Sequence, residues 1–125
     1  MSMPTPWRSP RHDVVLFGND DSTLMWPVTD RETGESIASA SGWSARVQVR
    51  SRQRDGDLVH EWKTTDGSAE FVTEPDGTVA LMLFTDDSAK WTWRKGFYDI
   101  ALLDHVGNRH LLAYGRITYR PGVTL

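Results

Sequence analysis

The sequence contains no cysteine, which excludes disulfide frameworks, thiolate zinc sites, iron–sulfur centres and thiol nucleophiles. It has no apolar stretch approaching the length of a membrane span. Near the N-terminus the apolar run is only Val14 to Phe17, too short for a signal-peptide core, and no cleavage site follows it. The expectation is a soluble chain made in a cytoplasm. A surplus of one charge sign is missing too: 14 basic against 17 acidic residues give −3. That balance offers no global attraction to nucleic acid or to an anionic membrane. There is no G-x-S-x-G elbow, phosphate-binding glycine loop or dinucleotide fingerprint. No internal repeat or low-complexity tract interrupts the chain.

What is present fits one domain. A chain of 125 residues leaves no room for two full cores. Six Trp, four Phe and three Tyr supply enough buried area to stabilise it without staples. Residues 1–11 hold Pro4, Pro6 and Pro10 together with Trp7. Proline lacks an N–H and favours extended backbone, so this stretch reads as an arm. The domain proper is expected over 12–121, with a tail at 122–125.

The remainder alternates at period two between turn signals, the pattern of strands. Asp-Gly pairs stand at 55–56, 66–67 and 76–77 and favour two-residue hairpins. Counting outward from the first sets Val49 against Trp62, Val47 against Thr64 and Arg50 against Glu61. The second sets Trp62 against Phe71 and Lys63 against Glu70. These counts predict a meander of strands near 44–51, 58–64 and 69–74. The third sets Phe71 against Met82, and also, less comfortably, Glu70 against Leu83. The strand from Thr78 to Thr85 is apolar on both sides, so it is either central in a sheet or covered by another chain. An N-cap pattern at Asp86-Asp87-Ser88 predicts one short helical turn near 86–93, with Trp91 or Trp93 closing the core. Strands follow at 96–103, 109–113 and 116–120, the first two set so that Asp104 faces Arg109 and Leu102 faces Leu111. Val14–Phe17 and Thr23–Val28 add two more. About seven to nine short strands at this spacing argue for an all-β, Ig-like two-sheet antiparallel sandwich, with a barrel as the alternative.

No constellation carries chemistry. The four histidines, His12, His60, His105 and His110, lack metal-ligand spacing, and His60 shares the apolar face with Trp62. Asn19-Asp20-Asp21-Ser22 lacks the glycine and closing glutamate of a calcium loop and reads as an Asx-type turn. No catalytic residue, cofactor or metal is assigned, and the chain is expected not to be an enzyme. Arg46, Arg50 and Arg52 project from one strand face. A protein-facing surface is favoured there over a phosphate-tracking stripe, because net charge is negative.

Thr78-Val-Ala-Leu-Met-Leu-Phe-Thr85, then Lys95-Gly-Phe-Tyr-Asp-Ile-Ala-Leu-Leu-Asp104, Gly107-Asn108 and Leu111-Leu-Ala-Tyr-Gly-Arg-Ile-Thr118 resemble the C-terminal half of phage virion β-sandwich domains. These include the LtfC-like family of actinobacteriophages and the N-terminal domain of baseplate upper proteins. Pro27-Val28-Thr29-Asp30 before a Gly34 turn, then Trp43–Arg50, extend the resemblance over about residues 12–120. It implies a scaffold and attachment module of the virion, without catalytic residues. The roles it implies are a minor capsid or decoration protein, a connector-region protein or a tail accessory. The expected partners are capsid or tail subunits, with a homo-oligomer as a further option. The expected contacts are Trp7, Pro10, Arg46 and Arg50. The alternative is a carbohydrate-binding or host-surface adhesion module of a phage tail or baseplate, in which an exposed Trp or Tyr stacks on a sugar ring.

Overall fold

The computed structural model describes residues 11–17, 24–29, 35–53, 55–85 and 90–120. Among the described residues there are eight strands: β1 (Val14–Phe17), β2 (Leu24–Pro27), β3 (Ser44–Arg50), β4 (Leu58–Lys63), β5 (Ala69–Thr73), β6 (Val79–Leu83), β7 (Lys95–Leu103) and β8 (Arg109–Arg120). They form a five-stranded sheet ordered β1-β8-β7-β3-β4 and a three-stranded sheet ordered β2-β6-β5. All pairings are antiparallel except β1 on β8. The protein is therefore an Ig-like β-sandwich: β2-β6-β5 correspond to B-E-D and β8-β7-β3-β4 to G-F-C-C′. The expected strands at 109–113 and 116–120 are one continuous strand, β8. No α-helix occurs among the described residues, and none of their helices is long and apolar enough to cross a membrane. Of the helical turn expected near 86–93, residues 86–89 lie outside the described set. Lys90 keeps 3₁₀ geometry and Trp91–Arg94 run on without helix.

Alternation fills the space between the sheets. Ala45, Val47 and Val49 of β3 point inward, as do Tyr98, Ile100 and Leu102 of β7 and Val79, Leu81 and Leu83 of β6. Trp62 of β4 is fully buried, and its indole N–H donates to the Phe84 carbonyl at 2.8 Å, tying the two sheets together. Both Trp91 and Trp93 close the same end of the core, stacked at 5.3 Å and packed on Tyr119. Strands B and F are the pair that antibody domains join by a disulfide. With no cysteine here, Trp26 of β2 meets Tyr98 of β7 edge-on at 5.9 Å. The Tyr98 hydroxyl donates to the His12 carbonyl, and burial raises its pKa well above the ordinary tyrosine value.

The turns correct the predicted registers. Residues 55–56 do not form a two-residue hairpin. A wider loop closes through the Ser51 N–H donating to the Asp57 carbonyl at 2.9 Å. Asp55 takes positive φ, while Gly56 packs against the Arg52 backbone. The pairing slips by two, to Val47–Trp62, Gln48–Glu61 and Val49–His60, with a bulge before Arg50. A slip of two preserves every residue's face, so Trp62 stays inside. The Arg50–Glu61 and Val47–Thr64 pairs do not form.

At 66–67 the meander breaks altogether. β4 and β5 lie in different sheets, so Trp62 is not paired with Phe71 nor Lys63 with Glu70. The chain switches sheets there, and the Ser68 hydroxyl accepts the Lys63 N–H at 2.7 Å.

The last two hairpins share a three-residue loop ending on a left-handed glycine. In one, Gly77 (φ 88°) donates to Glu74; in the other, Gly107 (φ 96°) donates to Asp104. The extra loop residue moves the β5–β6 register by one, giving Phe71–Leu81 and Glu70–Met82. Phe71 thus shares a face with the buried leucines, and Glu70 with Met82. The loop also gives Leu103–Arg109 and Ala101–Leu111 in place of Asp104–Arg109 and Leu102–Leu111. β6 is central between β2 and β5, which accounts for its two apolar faces.

Asp104 anchors the β7–β8 loop. Its carboxylate accepts from the Val106 and Asn108 amides at 3.0 and 2.8 Å and meets His110 Nε2 at 2.9 Å. The His110 contact first, then those amides, hold its pKa down to about 2. An unfolded aspartate titrates near ~3.9. The carboxylate therefore stabilises the fold above about pH 4, and this contribution fades as the pH falls toward 2. Asp104→Asn is expected to lower Tm at pH 7, with the gap to the parent closing as pH drops to about 2. A gap independent of pH in thermal melts would refute the assignment.

Candidate functional site

The outer face of the five-stranded sheet carries the site. Because side chains alternate, burying Ala45, Val47 and Val49 turns Arg46, Gln48 and Arg50 outward. Burying Tyr98, Ile100 and Leu102 does the same for Phe97, Asp99 and Ala101. Cross-strand registry arranges these outward groups in rows. One row reads Lys63–Arg46–Ala101–Leu111, the next Glu61–Gln48–Asp99–Tyr114, and the third places Arg50 beside Phe97 and Phe97 beside Arg116.

The rows are held by a polar ladder. Gln48 Nε2 donates to Glu61 at 2.9 Å, and Gln48 Oε1 accepts from Arg50 at 3.0 Å. Arg50 also donates to the Gly56 carbonyl at 3.3 Å. Glu61 meets Lys63 at 3.4 Å and Arg46 at 4.0 Å. The Gln48 hydrogen bond, helped by Lys63 and Arg46, lowers its pKa. Directly opposed like charges destabilise a strand pair by up to ~1 kcal/mol, and Arg46 lies directly opposite Lys63. One carboxylate thus serves two cations.

Asp99 lies in a depression of about 400 Å³ whose walls include Arg11, Gln48, Arg50, Phe97 and Tyr114. Burial raises its pKa, with Arg50 and Arg46 acting against that shift. The Arg116 guanidinium sits 5.8 Å from the Phe97 ring centroid, within cation–π range. A second, smaller groove of about 230 Å³ gathers Arg46, Lys63 and Arg109 beside Ser44 and Thr65. The arrangement has cations, amides and apolar rings in a shallow array, which suits recognition of a surface.

Of the four contact residues predicted from sequence, Arg46 and Arg50 fall on this face, with Gln48 between them. Trp7 and Pro10 lie outside the described residues. Lys63, Asp99, Phe97 and Arg116 were missed. Their signal was present in the strand alternation, but only the observed β3–β4, β3–β7 and β7–β8 registers bring them into one array with Arg46 and Arg50.

Trp26 and Trp43 both pack against the core. Both are half-buried, and Trp43 stacks on His110 at 5.7 Å. His60 lies against Trp62 at 4.4 Å and Trp91 at 4.5 Å, the apolar-face position expected for it. Among the described residues no group of three or more His, Asp or Glu gathers as a metal site. The Asn19–Ser22 segment lies outside the described set.

No protein-family model matches the chain, and no curated protein matches it. Among solved structures it is similar to CopC from Methylosinus trichosporium OB3b, with 12% identity and a TM-score of 0.36, covering 82% of this chain and 99% of that one. It is also similar to murine CRIg, with 14% identity and a TM-score of 0.30, covering 91% and 93% respectively.

Proposed function

We propose that the protein is a non-enzymatic structural component of a bacteriophage virion that attaches to neighbouring virion proteins through the outer face of its five-stranded sheet. The observation that carries this reading is the opposed Arg46–Lys63 pair with its single shared carboxylate. A solitary domain gains nothing from like charges placed side by side, whereas a surface completed by an acidic partner does. The phage assignment rests on the resemblance of 78–118 to virion sandwich domains. The glycan-binding alternative needs a flat exposed ring, and no described Trp or Tyr is exposed, which favours protein docking.

Peptide mass spectrometry of particles purified from the virus encoding the chain is expected to find it at a fixed copy number. An Arg46→Glu, Arg50→Glu chain, supplied in place of the parent, is expected to fold normally and to be lost from particles. Undiminished incorporation of that variant removes the sheet face from the mechanism, and absence of the parent chain from intact particles removes the virion role.

A further inference from the structure

Charge is distributed very unevenly over the two sheets. On the outer face of the large sheet, Arg46, Arg50, Lys63 and Arg116 stand with Glu61 and Asp99, and Asp13 accepts the Arg116 N–H at the β1 edge. The small sheet is the opposite. Residues 24–29 and 64–85, which hold β2, β5, β6 and their described turns, contain no Lys, Arg or His at all. Their charged groups are Asp66, Glu70, Glu74 and Asp76. A chain of net charge −3 therefore carries a cationic face on one side of the sandwich and an anionic one on the other.

The apolar groups are complementary as well. On the outer face of the small sheet, Met25 pairs with Met82 and Met82 with Glu70, while Pro27, Ala80 and Val72 form the next row. The result is a Met-lined patch with an acidic rim. Methionine adapts to irregular partners. The large sheet offers Phe97, Leu111 and Tyr114 among its cations. Each face thus presents the charge that the other lacks, and both offer apolar side chains to bury.

We propose that the protein associates with itself face to back: the basic outer face of the five-stranded sheet docks on the acid-rimmed Met patch of the next copy. The inference rests on reading the basic face as a docking surface and names its partner as a second copy of this chain. The contact is heterologous, since the two faces differ, so it repeats from copy to copy. It closes into a ring if the rotation allows and extends as a stack if it does not. Two identical faces in contact would instead oppose like charges.

The test is light scattering over a concentration series at low and moderate salt. The parent is expected to exceed its 14.2 kDa monomer mass as concentration rises, and to lose the excess as salt screens the contact. Arg46→Glu with Arg50→Glu, and separately Glu70→Lys with Glu74→Lys, are each expected to weaken association about tenfold or more. Each variant still keeps one intact face. Mixed one to one, they are expected to associate again and to exceed the 14.2 kDa monomer mass. If circular dichroism shows either basic-face substitution to disturb the fold, Arg116→Glu replaces it.

A parent that stays monomeric at every concentration overturns the proposal, and so does a variant mixture that forms no dimer. A monomeric parent that captures DNA or an unrelated acidic protein also overturns it, while leaving the docking face in place. Loss from particles is a separate readout, so failure of self-association and failure of the virion role are told apart.

Discussion

Replacing Trp62 with alanine is expected to remove most of the domain's stability. Trp62 is 1% exposed and lies opposite Val47. It is in edge contact with His60 and Trp91 at 4.4 and 5.6 Å. Truncating a buried Trp to Ala costs ~3–5 kcal/mol through lost transfer energy and the cavity left behind. The indole N–H is also the partner of the Phe84 carbonyl, and stranding a buried acceptor adds ~1–3 kcal/mol. Against a total of ~5–15 kcal/mol for a domain of this kind, the variant should be largely unfolded at physiological temperature. Trp62→Phe separates the two contributions, because it retains most of the volume and loses only the hydrogen bond. Urea denaturation followed by circular dichroism is expected to rank parent, Phe and Ala in that order. An alanine variant within about 1 kcal/mol of the parent would mean that the sheets are not joined at this residue.

Trp62 also marks how far the sequence could be read. Its inward position followed from parity alone, since it shares a face with Val47 and Val49 under either the predicted or the observed register. Strand alternation carries that information locally, and a two-residue slip leaves it unchanged. The pairing itself was not legible. Asp-Gly marks a turn without fixing its length. Here the same dipeptide closes a wide loop at 55–56, a sheet switch at 66–67 and a three-residue hairpin at 76–77. What the last two share is chemical: Asp66 and Asp76 each accept the amide two residues on, from Ser68 at 2.9 Å and Thr78 at 3.0 Å. These are Asx turns, and their side-chain hydrogen bonds set local geometry with no reference to which strand comes next.

The outer face of the five-stranded sheet shows the same division. Arg46 and Arg50 were visible because they belong to one strand with a regular pattern. Asp99 and Phe97 read as ordinary outward positions of another strand, and only the β3–β7 register puts them next to the arginines. Trp26 and Trp43 are part of the aromatic supply that the composition offers the core, and both pack against it. An amino-acid count cannot say how wide the gap between the sheets is.

The second large effect is expected at Gly115, where β8 passes under the residues that lead into β1. A Cβ built there would lie 2.1 Å from the His12 carbonyl oxygen and 2.8 Å from the His12 carbonyl carbon. Both are backbone atoms, so Gly115→Ala must push the 11–13 segment away. Three hydrogen bonds depend on that segment. They are His12 N–H to the Tyr114 carbonyl at 2.8 Å, Arg116 N–H to Asp13 at 3.0 Å, and the Tyr98 hydroxyl to the His12 carbonyl. At ~0.5–1.5 kcal/mol for each bond, the expected loss is ~2–4 kcal/mol. The loss is regional: β3, β4 and β7 make none of their strand pairings through residues 11–17. Amide exchange should therefore accelerate over 12–17 and stay slow in Val47, Val49 and Ile100. Tyr98→Phe, which deletes one of the three bonds without the clash, should give a smaller loss and leave the β1–β8 pairing protected. Uniform acceleration across both sheets in Gly115→Ala would show instead that β1 and the core unfold as one unit.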